Sequence, residues 1–214
     1  RIRAVVLNGS RVDSRSIVDR LSDFDIIYFV RGIRSFTSDN NWIARSFGLI
    51  MIMQKPEDWF SHPYDYNGDE PFVYLTHFVN GTRLDLTLID LENIPQKFRG
   101  GDLEPGEILL WKDDMQSFAW PVNPEKYLVE RPTAREFADT VNEFFWLATY
   151  VAKGIYRKQF LYVKTMRENI QAEMLLNVLS WSAAIDFDFS ISTGKFHKYL
   201  QKFLAIEVWH QLQD

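Results

Sequence analysis

The chain of 214 residues contains no cysteine, which excludes disulfide bonds and thiolate metal ligands and is typical of a reducing compartment. It also lacks any apolar run near the roughly 18 residues that a membrane-spanning helix needs, and no signal peptide is visible. From these absences we expect a cytoplasmic protein with no membrane partner. Because the first residue is Arg1 rather than Met, we expect the natural chain to begin earlier.

Basic residues are outnumbered, since 24 lysines and arginines face 29 aspartates and glutamates and the formal net charge is −5. Proteins that bind nucleic acids usually carry a basic surface that neutralises phosphates, and no such stripe is visible in this sequence. An acidic chain favours small or cationic partners instead. We therefore expect small-molecule substrates and no nucleic acid.

The pattern of apolar residues changes near residue 131 and indicates two domains. Up to that point strand signals dominate, with one helix at 40–47 and a loop-rich stretch at 90–126. The predicted strands lie at 2–8, 24–30, 49–53, 72–79 and 83–89. We therefore predict an α+β fold whose first domain, residues 1–131, is a mixed β-sheet flanked by helices.

Helical patterns dominate the second domain, residues 132–214. Thr133 with Glu136 three residues later is a capping box, the signature of a helix start. Apolar residues then recur at helical spacing up to Gly154, a typical helix stop. Further helices are predicted at 157–184, with a possible break, and at 195–204. This domain reads as a helical bundle that we expect to be incomplete at its C-terminal end.

Asp23 and Asp25 open a strongly apolar strand. Alternate residues of a strand leave the same face, so these two carboxylates repel each other unless a cation lies between them. Alternating polar and apolar residues at 83–89 place Asp85 on the polar face of its strand. Mg²⁺ prefers oxygen ligands and binds through carboxylates and substrate phosphates. The three acids together predict a metal site that could hold two ions, although each acid alone is more typical of a turn or a solvent-facing position.

Gly9 and Ser10 follow the first strand directly. Glycine lets the backbone approach a ligand closely, while free N–H groups and the serine hydroxyl can donate to an anionic oxygen. Arg11 adds a positive charge. A Gly-Ser pair after a strand is usually just a turn, but its combination with the three acids favours phosphate binding.

The order of Gly-Ser, a spacer, Asp-x-Asp and a later strand acid resembles the nucleotidyltransferase superfamily typified by DNA polymerase beta. The closer resemblance is to bacterial aminoglycoside 6-adenylyltransferases, the streptomycin-modifying enzymes. It rests on stretches from one end of the chain to the other, including RIRAVVLNGSR, DFDIIYFV, RLDLTLI and STGKFHKYL. The resemblance implies that residues 1–131 form a catalytic nucleotidyltransferase domain. It also implies Mg²⁺-dependent transfer of AMP from ATP to a hydroxyl of the antibiotic, which releases pyrophosphate and inactivates the drug.

The resemblance also implies roles for individual residues. Asp23 and Asp25 would hold Mg²⁺ against the triphosphate, and Asp85 would complete the metal site and accept the proton of the acceptor hydroxyl. Gly9 and Ser10 would cradle the β- and γ-phosphates, and Arg11 would add charge there. Asp23, Asp25 and Asp85 are therefore the catalytic candidates, because phosphoryl transfer depends on positioning and charge neutralisation.

Candidates in the helical domain rest on weaker signals. A lysine of this domain commonly reaches the triphosphate in nucleotidyltransferases, which makes Lys153 a candidate nucleotide contact; the alternative is a cation favouring a helix C-terminus. Lys195 and Lys198 are candidates on the same grounds, against solvated helix charges. Glu143, beside Asn142, is a candidate antibiotic contact or else an exposed residue of the helix face.

Two other functions stay open at this level. One is a nucleotidyltransferase that acts on a protein or an RNA end, of which the missing basic stripe argues against RNA. The other is a non-catalytic nucleotide-binding or antitoxin-like module of the same fold. Such modules often lose a carboxylate, and the presence of all three favours an enzyme.

Overall fold

The chain divides into two compact units, Arg1–Lys126 and Tyr127–Asp214. The structure, a computed structural model, describes residues 1–14, 16–58, 71–93, 106–112 and 128–213. A mixed sheet with helices lies in the first unit, and the described part of the second unit is helical. The α+β prediction is therefore confirmed, while the boundary near residue 131 stays a prediction.

A six-stranded sheet forms the framework of the first unit. Its strands are β1 (Ile2–Asn8), β2 (Phe24–Val30), β3 (Ile50–Gln54), β4 (Phe72–Phe78), β5 (Arg83–Asp90) and β6 (Gly106–Trp111). They lie in the order β3-β4-β5-β2-β1-β6, and only the β2–β5 pair of this sheet is parallel. The first five strands agree with the predicted ranges to within one residue at each end.

The prediction of a loop-rich stretch at 90–126 is wrong for β6, and the rest of that stretch lies largely outside the described residues. β6 pairs with β1 at one edge of the sheet, and its Ile108, Leu109 and Leu110 are all exposed. These three apolar residues are consecutive in the sequence, so polar and apolar residues do not alternate along β6. The period-2 pattern that identifies a half-buried strand is therefore missing.

Apolar packing on both faces of the sheet explains why β2 is so hydrophobic. Ile27 and Phe29 belong to a buried cluster on one face, together with residues of β1 and β5. Val30 belongs to a larger cluster on the opposite face, which also contains Leu84, Leu86 and Leu88. A strand buried on both faces loses its alternation and becomes a continuous apolar run. β2 and β5 are therefore held rigidly where they meet.

Two short helices, α1 (Arg34–Thr37) and α2 (Asn41–Phe47), pack on the face of the larger cluster. Tyr74 joins them to the sheet: its side chain is fully buried and its hydroxyl donates to Asn40 Oδ1 at 2.7 Å. The same hydroxyl lies 3.1 Å from the Phe36 carbonyl oxygen. Burial raises the pKa of Tyr74 to about 12, so the hydroxyl stays a donor throughout the neutral range.

The second unit contains the helices α3 (Ala134–Tyr156), α4 (Phe160–Lys164), α5 (Ala172–Ile185) and α6 (Ile206–Gln213). The predicted capping box begins α3: Thr133 Oγ1 accepts from the Glu136 backbone N–H at 3.1 Å, and Glu136 Oε2 accepts from the Thr133 N–H at 2.7 Å. The predicted break at 157–184 is a π-helical segment, Thr165–Gln171, which joins α4 to α5. In the parts of the chain that the structure describes, none of the helices combines the length and hydrophobicity needed to cross a membrane.

Gly154 does not end its helix, so that prediction is wrong. α3 continues to Tyr156, and Gly154 is buried inside it. A Cβ at this position would lie 2.6 Å from Val163 Cγ2 and 3.0 Å from the Tyr162 ring. The glycine is therefore explained by close packing against α4 rather than by a turn. The helix predicted at 195–204 is likewise replaced by two short 3₁₀ turns, Lys195–His197 and Leu200–Phe203.

We predict that Tyr74→Phe lowers the free energy of unfolding of the first unit by about 1 kcal/mol, because a buried hydrogen bond to the α1–α2 segment is lost without a change in packing. Urea denaturation followed by circular dichroism measures this. Tyr156→Phe is the matched control, since Tyr156 is 89% exposed. Equal stability of the Tyr74→Phe variant and the unchanged protein would show that the hydroxyl contributes nothing.

Candidate active site

Three carboxylates meet where the parallel strands β2 and β5 begin. Asp25 is paired in register with Asp85, so their side chains leave the same face of neighbouring strands. Asp23 precedes Asp25 by two residues and shares that face. One oxygen of each of the three residues lies within 4.8 Å of the others. The structure thus brings together the acids that the sequence placed in one site.

Arg83 supplies positive charge to this carboxylate triad (Asp23, Asp25 and Asp85). Its Nε donates to Asp85 Oδ1 at 2.9 Å and its Nη2 donates to Asp85 Oδ2 at 2.6 Å. Nη1 lies 3.7 Å from Asp23 Oδ2. The hydrogen bonds to Asp85, followed by the charges of all three aspartates, raise the pKa of Arg83 against the opposing effect of its burial. Paired forks of this kind are strong and directional.

Gly9 is required by the approach of β1 to the triad. Its φ is +76°, a backbone conformation that residues other than glycine rarely adopt. A Cβ at Gly9 would overlap the Asp25 carboxylate. The neighbouring residue Asn8 is paired with Asp25 across β1 and β2. Ser10 follows in a single 3₁₀ turn, Gly9–Arg11, and is partly buried; its contact with phosphate stays a prediction.

Arg11 holds the backbone that carries Asp23. Its Nη2 donates to the Ser22 carbonyl at 2.6 Å and its Nε to the Asp23 carbonyl at 2.8 Å. The guanidinium carbon also lies 3.7 Å from the centre of the Phe24 ring, a cation–π contact. These contacts fix the entry into β2. The predicted contact of Arg11 with phosphate would have to use the N–H groups that remain.

Sequence reasoning assigned no role to Arg83 or Asn8, although both adjoin the triad. The alternation at 83–89 places Arg83 on the same face as Asp85, and this two-residue spacing on one strand is the signal that identifies the pair. Asn8 Oδ1 is one of two buried side-chain polar atoms of the described residues that have no hydrogen-bond partner. Its position before Gly9 was the available signal. Both residues are therefore additional polar groups of this site.

The candidates of the helical domain all lie in the second unit. Asn142, Glu143 and Lys153 are exposed residues of α3, so Glu143 is not a buried acid. The Lys153 ammonium lies 4.5 Å from the centre of the Tyr150 ring. Lys195 and Lys198 lie beside aromatic rings in the same way. Their contacts with nucleotide or antibiotic stay predictions.

Three features together are typical of a nucleotidyltransferase. They are the mixed sheet, the Gly-Ser turn after β1 and the three acids at the start of two parallel strands. The chain matches the streptomycin adenylyltransferase family over residues 1–214, and it belongs to that family. It is therefore an adenylyltransferase enzyme.

Three curated relatives, each named aminoglycoside 6-adenylyltransferase, align with essentially the whole chain. The protein of Bacillus subtilis (strain 168) is 36% identical over 214 residues, which are 100% of this chain and 74% of the relative. That of Staphylococcus aureus is 33% identical over 99% of this chain and 73% of the relative. That of Campylobacter jejuni is 38% identical over 100% of this chain and 72% of the relative. A crystal structure of an aminoglycoside 6-adenyltransferase from Bacillus subtilis aligns with 34% identity and a TM-score of 0.40, covering 100% of this chain and 72% of that one.

We predict that Gly9→Ala lowers adenylyl transfer about a hundredfold, because the new methyl group displaces the Asp25 carboxylate. Pyrophosphate release measures this. Gly81→Ala is a matched control, since Gly81 also has a positive φ, +86°, but nothing lies within 4 Å of its Cβ position. Both variants should lose about 1 kcal/mol of stability from backbone strain, while Gly81→Ala keeps its activity. Equal activities of Gly9→Ala and Gly81→Ala would show that the site does not need a glycine at position 9.

Proposed function

We propose that this protein transfers AMP from ATP to a hydroxyl of a streptomycin-type aminoglycoside, releases pyrophosphate and thereby inactivates the antibiotic. The observation that carries the proposal is the meeting of Asp23, Asp25 and Asp85 within 4.8 Å, in a chain of the streptomycin adenylyltransferase family. The names of the curated relatives support an aminoglycoside acceptor. Adenylyl transfer needs charge neutralisation and positioning, which such a site can supply.

The chemistry of the triad suits magnesium. Asp23, Asp25 and Asp85 offer only carboxylate oxygens, the ligands that Mg²⁺ prefers, and their mutual repulsion favours a divalent cation between them. We propose that these residues hold Mg²⁺, as two ions, together with the triphosphate of ATP. When bound, Mg²⁺ would neutralise the phosphate oxygens and stabilise the charge that develops on the leaving pyrophosphate.

The residues of the chain orient the reactants in this proposal. The oxygen of the acceptor hydroxyl attacks the α-phosphorus, the bond to pyrophosphate breaks, and the hydroxyl proton passes to a carboxylate oxygen of Asp85. Gly9 and Ser10 receive the β- and γ-phosphates at the end of β1. We also propose Lys153 as a residue that binds the nucleotide. Arg11 keeps Asp23 in place through the main chain, and its remaining N–H groups add positive charge for the phosphates.

An aminoglycoside acceptor agrees with the charge of the chain. Streptomycin carries guanidinium groups, and carboxylates bind guanidinium through paired hydrogen bonds. The formal net charge of −5 favours the approach of a cation. We propose Glu143 and Asn142, both exposed on α3, as antibiotic contacts, and the cytoplasm as the place where ATP, magnesium and antibiotic meet the enzyme.

The direct test incubates the protein with Mg²⁺, ATP and streptomycin and follows pyrophosphate. We expect release that requires all three additions and a product heavier than streptomycin by one adenylyl group in mass spectrometry. The position of that group identifies the modified hydroxyl. Pyrophosphate release that needs no aminoglycoside, or its absence with every aminoglycoside tried, would contradict the proposed acceptor.

Asp25→Asn should reduce the transfer of AMP by about 10³-fold, because an amide cannot provide the negative charge that the proposed metal site needs. Its thermal stability should be unchanged or higher, since one of three mutually repelling carboxylates is removed. Asp39→Asn is the control: it removes an exposed acid that is paired with Arg45 and should leave transfer unchanged. Full activity in Asp25→Asn would show that Asp25 is not a ligand of the proposed metal site.

A further inference from the structure

Arg83 binds the carboxylate on which the proposed metal site depends. Both oxygens of Asp85 accept a hydrogen bond from this one guanidinium, at 2.9 and 2.6 Å. The third guanidinium nitrogen is 3.7 Å from an oxygen of Asp23. The Asp85 side chain is only 17% exposed, so water screens this pair less than a surface ion pair. Arg83 therefore neutralises part of the triad when no divalent cation is bound.

A metal ion bound by the triad would meet this positive charge at close range. Each carboxylate oxygen has two lone pairs, and Arg83 uses one on each oxygen of Asp85. A divalent cation can bind at the remaining lone pairs, but it is then repelled by the guanidinium. The alternative is that one Arg83 hydrogen bond breaks, which costs the energy of a charged pair. Either route makes metal binding weaker than three free carboxylates would allow.

We propose that Arg83 is the resident counterion of the carboxylate triad and that it holds down the affinity of the nucleotide-free enzyme for divalent cations. The negative charge of the triphosphate offsets the guanidinium, so the metal binds tightly only together with the nucleotide. Arg83 thus couples metal binding to substrate binding. This inference rests on the proposed metal site.

A purely structural role for Arg83 predicts the opposite result. If the guanidinium only orients Asp85, its removal leaves a misplaced ligand and metal binding becomes weaker. If it acts as a counterion, its removal leaves three carboxylates with less compensation and metal binding becomes tighter. The sign of the change in metal affinity therefore separates the two roles.

The test measures Mn²⁺ binding by electron paramagnetic resonance, with and without an ATP analogue that cannot be cleaved between the α- and β-phosphates. Without the analogue, we expect Arg83→Gln to bind Mn²⁺ on the order of tenfold more tightly than the unchanged protein. With the analogue, the difference should shrink. Arg83→Lys keeps the charge and should stay close to the unchanged protein.

Arg45→Gln is the matched control, because it also removes an arginine from an aspartate pair, Asp39 at 2.9 Å, on the surface. Its Mn²⁺ affinity should equal that of the unchanged protein. Arg83→Met is a second neutral variant that keeps much of the apolar stem, for use if Arg83→Gln does not fold. An increase in affinity in either neutral Arg83 variant, absent in Arg45→Gln, supports the proposal.

Thermal unfolding gives a second readout that does not depend on catalysis. Arg83→Gln should melt at a lower temperature than the unchanged protein without metal, since repulsion within the triad is offset less when the guanidinium is removed. Mn²⁺ should then raise its melting temperature by more than it raises that of the unchanged protein. Equal increases in both proteins would overturn the proposal.

The outcomes also separate this inference from the proposed function. Mn²⁺ binding that is lost in Asp25→Asn but is unchanged or weaker in both neutral Arg83 variants overturns the counterion role and leaves the metal site standing. Absence of Mn²⁺ binding to the unchanged protein, with and without the nucleotide analogue, overturns the metal site and the counterion role together.

Discussion

The in-register parallel pairing of β2 with β5 determines the geometry of the carboxylate triad. It places Asp25 directly beside Asp85, although sixty residues separate them in the chain and their charges repel each other. Apolar packing enforces this arrangement. A shift of one residue would turn Asp85 toward the larger cluster and expose Leu84, Leu86 and Leu88, which are at most 4% exposed. Burying such side chains contributes about 1.5–3 kcal/mol each, more than repulsion near solvent can oppose.

Arg11 and Arg83 stabilise the same site in different ways. Arg11 donates to main-chain carbonyls and stacks on Phe24, so it fixes the position of Asp23 and leaves that carboxylate available for other partners. Arg83 donates to the carboxylate of Asp85 itself and so competes with anything else that binds there. Arg11 thus fixes the geometry of the site through the backbone. Arg83 offsets the charge of the triad through side-chain hydrogen bonds, which can exchange with a ligand. A site that must bind and release charged ligands benefits from this division, because exchange need not disturb the fold.

The sequence was most informative where a residue's local surroundings determine its role. Alternation in β5 correctly assigned Asp85 to the face opposite Leu84 and Leu86, because a strand has a fixed period of two. It was least informative where tertiary contacts decide. Gly154 has the residue type of a helix stop, yet its role is set by Val163, which packs where a Cβ would be. The two-residue spacing indicates that Arg83 and Asp85 are neighbours, but it does not show that the guanidinium also approaches Asp23, since alternation gives the face of a side chain but not the direction in which it extends.

The two faces of the sheet divide stability from chemistry. The larger apolar cluster, covered by α1 and α2, occupies one face, while Asn8, Asp25 and Asp85 lie on the face of the smaller cluster, beyond its last apolar residues. Polar groups that are incompletely paired cost free energy, and the buried Oδ1 of Asn8 is such a group. A core on the opposite face can offset that cost without contacting the ligands. Substitutions in the larger cluster should therefore act mainly on stability, because its residues lie on the face opposite the carboxylates. Substitutions at the polar end of the other face should act mainly on ligand binding.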